Sequence, residues 1–135
     1  MNIVLDTNVF VSGVFFPGPP SRILNAWRDQ RLQIVLSHEI LKEYRRVGAE
    51  LSAQYPPIDI QPIIELIVHK ALIIAATPLS EQVCKDADDD KFIACALATG
   101  CHIIVSGDKH LLKVSGFRGI QVLKPREFVD RYLAG

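Results

Sequence analysis

Apolar residues fall along this chain in short continuous runs, separated by longer stretches of helical spacing. Ile3-Val4-Leu5 is a β-rich run that ends at Asp6. Residues 32–36, 72–75, 102–106 (core Ile103-Ile104-Val105) and 120–123 have the same character, so each reads as a strand. Between the runs, Ser21 through Arg31 reads as a helix from the spacing of Ile23, Leu24 and Trp27. His38 through Val47 reads as a second helix with Ser37 as its N-cap. Ile58 through Ala71 has an apolar face of Ile60, Ile63, Ile64, Ile67 and Val68, with Pro62 tolerable only near its first turn. Lys91 through Thr99 is a helix stopped by Gly100, a short helix surrounds Leu111-Leu112, and Pro125 opens a last one with Phe128, Val129, Tyr132 and Leu133 on one face. The stretch holding Gly13, Pro17, Gly18, Pro19 and Pro20 reads as a loop, and Gly48 to Pro57 as a weakly patterned connection.

Strands that alternate with helices, and are apolar throughout, belong to a parallel sheet covered on both faces. The expected fold is therefore a three-layer α/β/α sandwich. No repeat, low-complexity tract or linker divides the chain, and its 135 residues fit a single domain, residues 1–135.

Composition narrows the function. Acids and bases balance at 15 each, which argues against binding nucleic acid by bulk charge but leaves local contact with phosphates open. Cys84, Cys95 and Cys101 are odd in number and lack CxxC spacing, so buried free thiols in a reducing, cytoplasmic setting are expected. The first apolar run is broken by Asp6 and Asn8, so no signal peptide is expected, and no run of about 18 apolar residues is available to span a membrane.

The candidate chemistry lies in the acids. Ligands of open parallel sheets bind beyond the carboxyl ends of the strands, where strand order reverses. Asp6 ends the first strand, Glu43 lies in the helix leaving the second, Asp90 begins the helix before the fourth, and Asp108 lies just past the fourth. At about 100° per residue, Glu43 stands roughly 85° from the apolar face of Ile40, Tyr44 and Val47, and Glu39 roughly 125°, so Glu43 is the acid nearer the interior. Asp90 shares a stripe with Ile93, Ala94 and Leu97 and so points inward, with Asp89 about 100° and Asp88 roughly 160° around from it. Each acid also has an ordinary alternative: Asp6 and Asp108 as turn or cap residues, Glu43 as a surface acid, and one or two of Asp86, Asp88, Asp89 and Asp90 as caps that complement a helix dipole. An inward-facing acid without a partner is costly, which favours a shared purpose. Clustered carboxylate oxygens suit Mg²⁺, Mn²⁺ or Ca²⁺ rather than zinc. Such an ion relieves their mutual repulsion and can polarise a phosphoryl oxygen or activate water. His38, His69, His102 and His110 show no zinc spacing, and no GxxxxGK[ST] or GxGxxG occurs.

Four stretches together resemble the PIN-domain family: Ile3-Val4-Leu5-Asp6-Thr7-Asn8-Val9; Ser37 followed by Glu43; Asp86-Ala87-Asp88-Asp89-Asp90-Lys91-Phe92-Ile93-Ala94-Cys95-Ala96; and Val105-Ser106-Gly107-Asp108-Lys109-His110-Leu111-Leu112. Within the family, the chain is most similar to VapC-like toxins of toxin–antitoxin pairs. The resemblance implies a five-stranded parallel sheet in order 3-2-1-4-5 and an endoribonuclease dependent on Mg²⁺ or Mn²⁺. It maps an acidic quartet onto Asp6, Glu43, Asp90 and Asp108, with Asn8 and Ser106 in support. Asp6, Asp90 and Glu43 would hold the principal metal, and Asp108 a second ion or the attacking water. Lys109, His110, Arg45 and Arg46 are candidates for phosphate contact, against the alternative of ordinary solvated surface. RNA as substrate, a homodimer and a cognate antitoxin are the partners implied. Ser106 departs from the threonine of many relatives, and Ala87 from the proline of some. Three other readings compete: a housekeeping RNA-processing or DNA-cutting nuclease, a non-catalytic binding module on the same fold, and a phospho-acceptor receiver domain. The last has Lys124 in its favour but leaves Glu43 and Asp90 without a role.

Overall fold

The computed structural model describes residues 1–133; the last two residues of the expected domain lie outside the described residues. Five short strands form one all-parallel sheet: β1 (Asn2–Leu5), β2 (Gln33–Ser37), β3 (Leu72–Ile74), β4 (Ile103–Val105) and β5 (Gln121–Leu123). Their order is β3-β2-β1-β4-β5, as the resemblance implied. Register is set across the centre by Ile3 opposite Ile34, Val4 opposite Ile104 and Leu5 opposite Val105. These central residues are fully buried, which is why their runs are apolar without alternation. The path moves from β1 outward to β3, then returns past β1 to β4 and β5. The strand order therefore reverses between β1 and β4, whose carboxyl ends lie side by side.

The helices are α1 (Thr7–Phe15), α2 (Pro19–Arg28), α3 (His38–Gln54), α4 (Gln61–Lys70), α5 (Asp90–Thr99), α6 (Lys109–Leu112) and α7 (Pro125–Phe128), the last passing into π winding over Val129–Leu133. Right-handed connections across the reversal send α5 to the face opposite α2. There α5 packs on the sheet, while α2 packs against α1 and α7. Gly100 ends α5 in the left-handed conformation, as its position predicts.

Two expectations are corrected. Thr7–Phe15, read as loop, is helical. Its buried Val9, Phe10, Val11 and Phe15 surround most of the helix, so it carries little of the one-sided pattern that marks a surface helix. Gly13 is a packing residue within it: a Cβ there would sit 2.7 Å from Leu24 Cδ1 and 2.8 Å from the Pro20 carbonyl oxygen. The second correction lengthens α3 to Gln54, straight through Gly48. Gly48 is kept bare by Ile60, whose Cγ1 lies 2.7 Å from where its Cβ would be, so close packing rather than a helix stop accounts for the glycine.

Candidate active site

Asp6 leaves β1 at the reversal point, and its backbone N–H still bonds the Val105 carbonyl at 3.0 Å. The chain then turns into α1, with the Asp6 carbonyl accepting from Phe10 N at 3.0 Å. The Asp6 side chain makes no capping bond to that helix. It turns instead toward β4, where the fully buried Ser106 hydroxyl donates to Oδ2 at 2.6 Å. Ser106 Oγ in turn accepts from Asp108 N at 2.9 Å, so one hydroxyl ties both acids to the end of the sheet. The Asn8 backbone amide favours the charged form of the Asp6 carboxylate, while the Asn8 side chain is exposed. Burial raises the Asp6 pKa above its ordinary value; the Ser106 hydrogen bond and the nearby Asn8 amide oppose that, and the charges of Asp108 and Glu43 add to it.

Glu43 is placed by its neighbour in sequence. Tyr44 is fully buried, stacks on Phe10 with ring centroids 4.2 Å apart, and donates its hydroxyl to the Leu5 carbonyl at 2.6 Å. That fixes this turn of α3 against the end of β1 and sets Glu43 beside it, half-buried, while Glu39 is exposed. The Thr7 hydroxyl donates to Glu43 Oε1, and Lys91 Nζ lies 2.5 Å from Oε2. Lys91 also pairs with Asp88 at 2.9 Å. Burial lowers the Lys91 pKa, but the bonds to Glu43 and Asp88 outweigh it and the net shift is upward.

The acidic run before α5 divides its labour differently from the sequence pattern. Asp90 does point inward, but Oδ2 accepts from Val83 N at 3.0 Å and Oδ1 from Cys84 N at 2.7 Å. Both oxygens thus hold the preceding loop. Asp86 caps the short 3₁₀ turn Ala87–Asp89 through Asp88 N at 3.0 Å, the ordinary role foreseen for one or two of these acids. Asp89 is the one that faces the acid cluster. Burial comes first in pushing its pKa up to about 6, followed by the charges of Asp108, Asp86, Asp6 and Asp88. Its Oδ2 is the buried side-chain oxygen that lacks a hydrogen-bond partner among the described residues. Ligand atoms of Asp86, Asp89 and His110 lie within 4.8 Å of one another. His110 Nδ1 stands 3.8 Å from both Asp89 Oδ2 and Asp108 Oδ1. Asp108 also caps α6, its Oδ1 accepting from His110 N at 2.7 Å.

Asp6, Glu43 and Asp108 are thus brought together, and Asp90 is engaged elsewhere. Sequence reasoning missed Thr7, Asp89 and Lys91 as members of this site. The signal for Asp89 is faint, because Asp89 ends a 3₁₀ turn whose rotation per residue differs from the α-helical spacing that turns Asp90 inward. A groove of about 430 Å³, lined by Glu43, Lys91, Asp88, Lys42 and Arg46, opens beside the acids. Arg45 and Lys109 are exposed, and Arg46 pairs with Glu50 at 3.3 Å. Among the described residues no helix is long and apolar enough to cross a membrane.

The family model for the PIN domain matches residues 2–110, most of the chain and all of the acids above. The chain is also similar to an uncharacterized protein of Methanocaldococcus jannaschii, 29% identical over 145 aligned positions that cover 98% of this chain and 92% of that protein.

Proposed function

This chain belongs to the PIN domain family, and on that premise we propose that it is a metal-dependent endoribonuclease acting as the toxin of a toxin–antitoxin pair. The family is one of nucleases that use divalent metals, so the substrate, the metal and the biological role are what the proposal adds. One observation carries it: the buried, unpartnered Asp89 Oδ2 among Asp6, Asp86 and Asp108. Acids this close raise one another's pKa, and a divalent cation is the ordinary remedy. The ligand atoms that lie within 4.8 Å of one another are two carboxylates, Asp86 and Asp89, and the His110 imidazole, an oxygen-rich set that fits Mg²⁺ or Mn²⁺. Asp6, Asp89 and Asp108 would hold the ion, with Asp86 and His110 flanking it and Glu43 completing the acidic cleft.

When bound there, the ion supplies Lewis-acid polarisation of a phosphodiester and a nucleophilic water at neutral pH. The chain's own residues supply orientation. Ser106 fixes the Asp6 carboxylate, and Thr7 and Lys91 fix Glu43. Asp90 holds residues 83–84 beside the acids and so acts through the loop. Lys42 and Arg46 along the groove offer positive charge to a nucleic-acid backbone. The reading carries with it one domain over residues 1–135, a cytoplasmic location, a homodimer and a cognate antitoxin.

The test is cleavage of single-stranded and structured RNA by the purified protein. Cutting in millimolar Mn²⁺ and its loss in EDTA are expected, with Asp6→Asn inactive and growth arrest on expression relieved by the same substitution. Cleavage at full rate in EDTA, or by Asp6→Asn, overturns the metal reading. Harmless expression of an active wild type overturns the toxin role alone.

A further inference from the structure

We infer that the Lys91 ammonium is a resident counter-ion that stands where a second divalent cation would otherwise sit at Glu43, so that the cleft takes one metal ion, at Asp6, Asp89 and Asp108. The inference rests on the reading of the cleft as a metal site and concerns how its charge is divided.

The acids fall into two halves with different partners. On one side, both Glu43 oxygens are occupied, Oε1 by the Thr7 hydroxyl and Oε2 by Lys91 Nζ at 2.5 Å. The pair is well covered, with 15% of the Lys91 and 16% of the Glu43 side chain exposed, so solvent screens it little. Lys91 is held on two further sides, by Asp88 at 2.9 Å and over the Phe92 ring at 5.4 Å from its centroid. A divalent ion binds a carboxylate oxygen at about 2.0–2.6 Å. The space beyond Oε2 that such an ion needs is filled by the ammonium. On the other side, Asp89 Oδ2 has no partner, and the nearest nitrogen that could carry charge, His110 Nδ1, is 3.8 Å away. That half has an anionic surplus with no cation of its own.

The start of α5 explains the division. Asp89 and Lys91 are two residues apart, and the turn from 3₁₀ to α winding between them sends the unpaired acid to one half and the cation to the other. Lys91 is thus a positioning residue for Glu43: it fixes the carboxylate and neutralises it without a metal ion.

Counting bound Mn²⁺ tests this, by the loss of the free-ion electron paramagnetic resonance signal on titration of the full chain. The wild type is expected to bind one Mn²⁺. Lys91→Met should bind two, the second weaker and lost again in Lys91→Met/Glu43→Gln. Lys91→Arg, which keeps the charge, should stay at one. Glu43→Gln alone should also keep one, with its dissociation constant within about threefold of wild type, a check independent of how well Lys91→Met folds. Two ions in the wild type, one in a folded Lys91→Met, or loss of the ion in Glu43→Gln would each overturn the inference while leaving a metal site in place. A wild type that binds no Mn²⁺ at millimolar concentration would overturn it together with the reading beneath it.

Discussion

Asp89 and Asp90 are adjacent acids with opposite surroundings, and substitution should separate them. Asp90→Asn replaces one acceptor with a donor opposite the Val83 and Cys84 amides. Leaving a backbone N–H of that pair unsatisfied costs about 1–3 kcal/mol, so the thermal midpoint should fall in EDTA as well as in metal. Asp89→Asn removes a negative charge whose buried oxygen accepts no hydrogen bond, so cleavage should be abolished while the metal-free protein is stabilised at pH 7. The pH dependence follows with its sign. The folded Asp89 pKa is raised from 3.8 to about 6, so its contribution to stability is full below 3.8 and is lost as pH rises through 6. Asp6 is also raised and acts in the same direction. The metal-free wild type should therefore lose midpoint from this source between about pH 4 and 6, and Asp89→Asn should lose less. Melts in EDTA across that range decide it, and equal slopes for the two proteins would remove Asp89 from the cluster.

At the scale of elements, the site depends on α1, a helix of nine residues whose amino end follows Asp6 directly and carries Thr7. Its packing on α2 is close because Gly13 has no side chain. Alanine there gains about 1 kcal/mol in helix propensity. Against that gain, overpacking costs about 1–3 kcal/mol, and here one of the clashing atoms is a backbone carbonyl oxygen that cannot rotate away. Gly13→Ala should thus be destabilising in a urea titration. A more stable variant would show that α1 and α2 are free to move apart.

For the whole molecule, the site joins the ends of β1 and β4 to α3 and α5, so an ion bound there holds elements that are distant in sequence. Mn²⁺ at 100 times its dissociation constant should stabilise the fold by about 2.7 kcal/mol, and the gain should vanish in Asp6→Asn. The gain should also be larger at pH 7 than at pH 5, because protons compete for Asp89 at the lower pH. RNA products should carry a 5′-phosphate and a 3′-hydroxyl. Without metal, ribonucleases generally recruit the RNA's own 2′-hydroxyl with paired acid–base groups and leave a cyclic phosphate. Here the cluster is acidic, with His110 beside it. Mass spectrometry of the products checks this, and cyclic phosphate ends would contradict it.

The strand runs and their order of appearance were legible in the sequence because burial on both faces demands unbroken apolar stretches, as at Ile3–Leu5 and Ile103–Val105. The strand order itself was legible through family resemblance. The inward turn of Glu43 and the capping by Ser37 were local consequences of helix geometry and could be read from spacing. Helix α1 could not, because its apolar residues are buried on most sides and its glycine serves a neighbour distant by 11 positions in the chain. Nor could the choice between Asp89 and Asp90, which hangs on where 3₁₀ winding gives way to α and on the amides of residues 83 and 84. The sequence by itself determined which acids could gather at the sheet's edge. Which carboxylates are spent on backbone amides, which are paired with Lys91 and which are left unpaired was decided only by tertiary structure, because a charge is satisfied by partners in space.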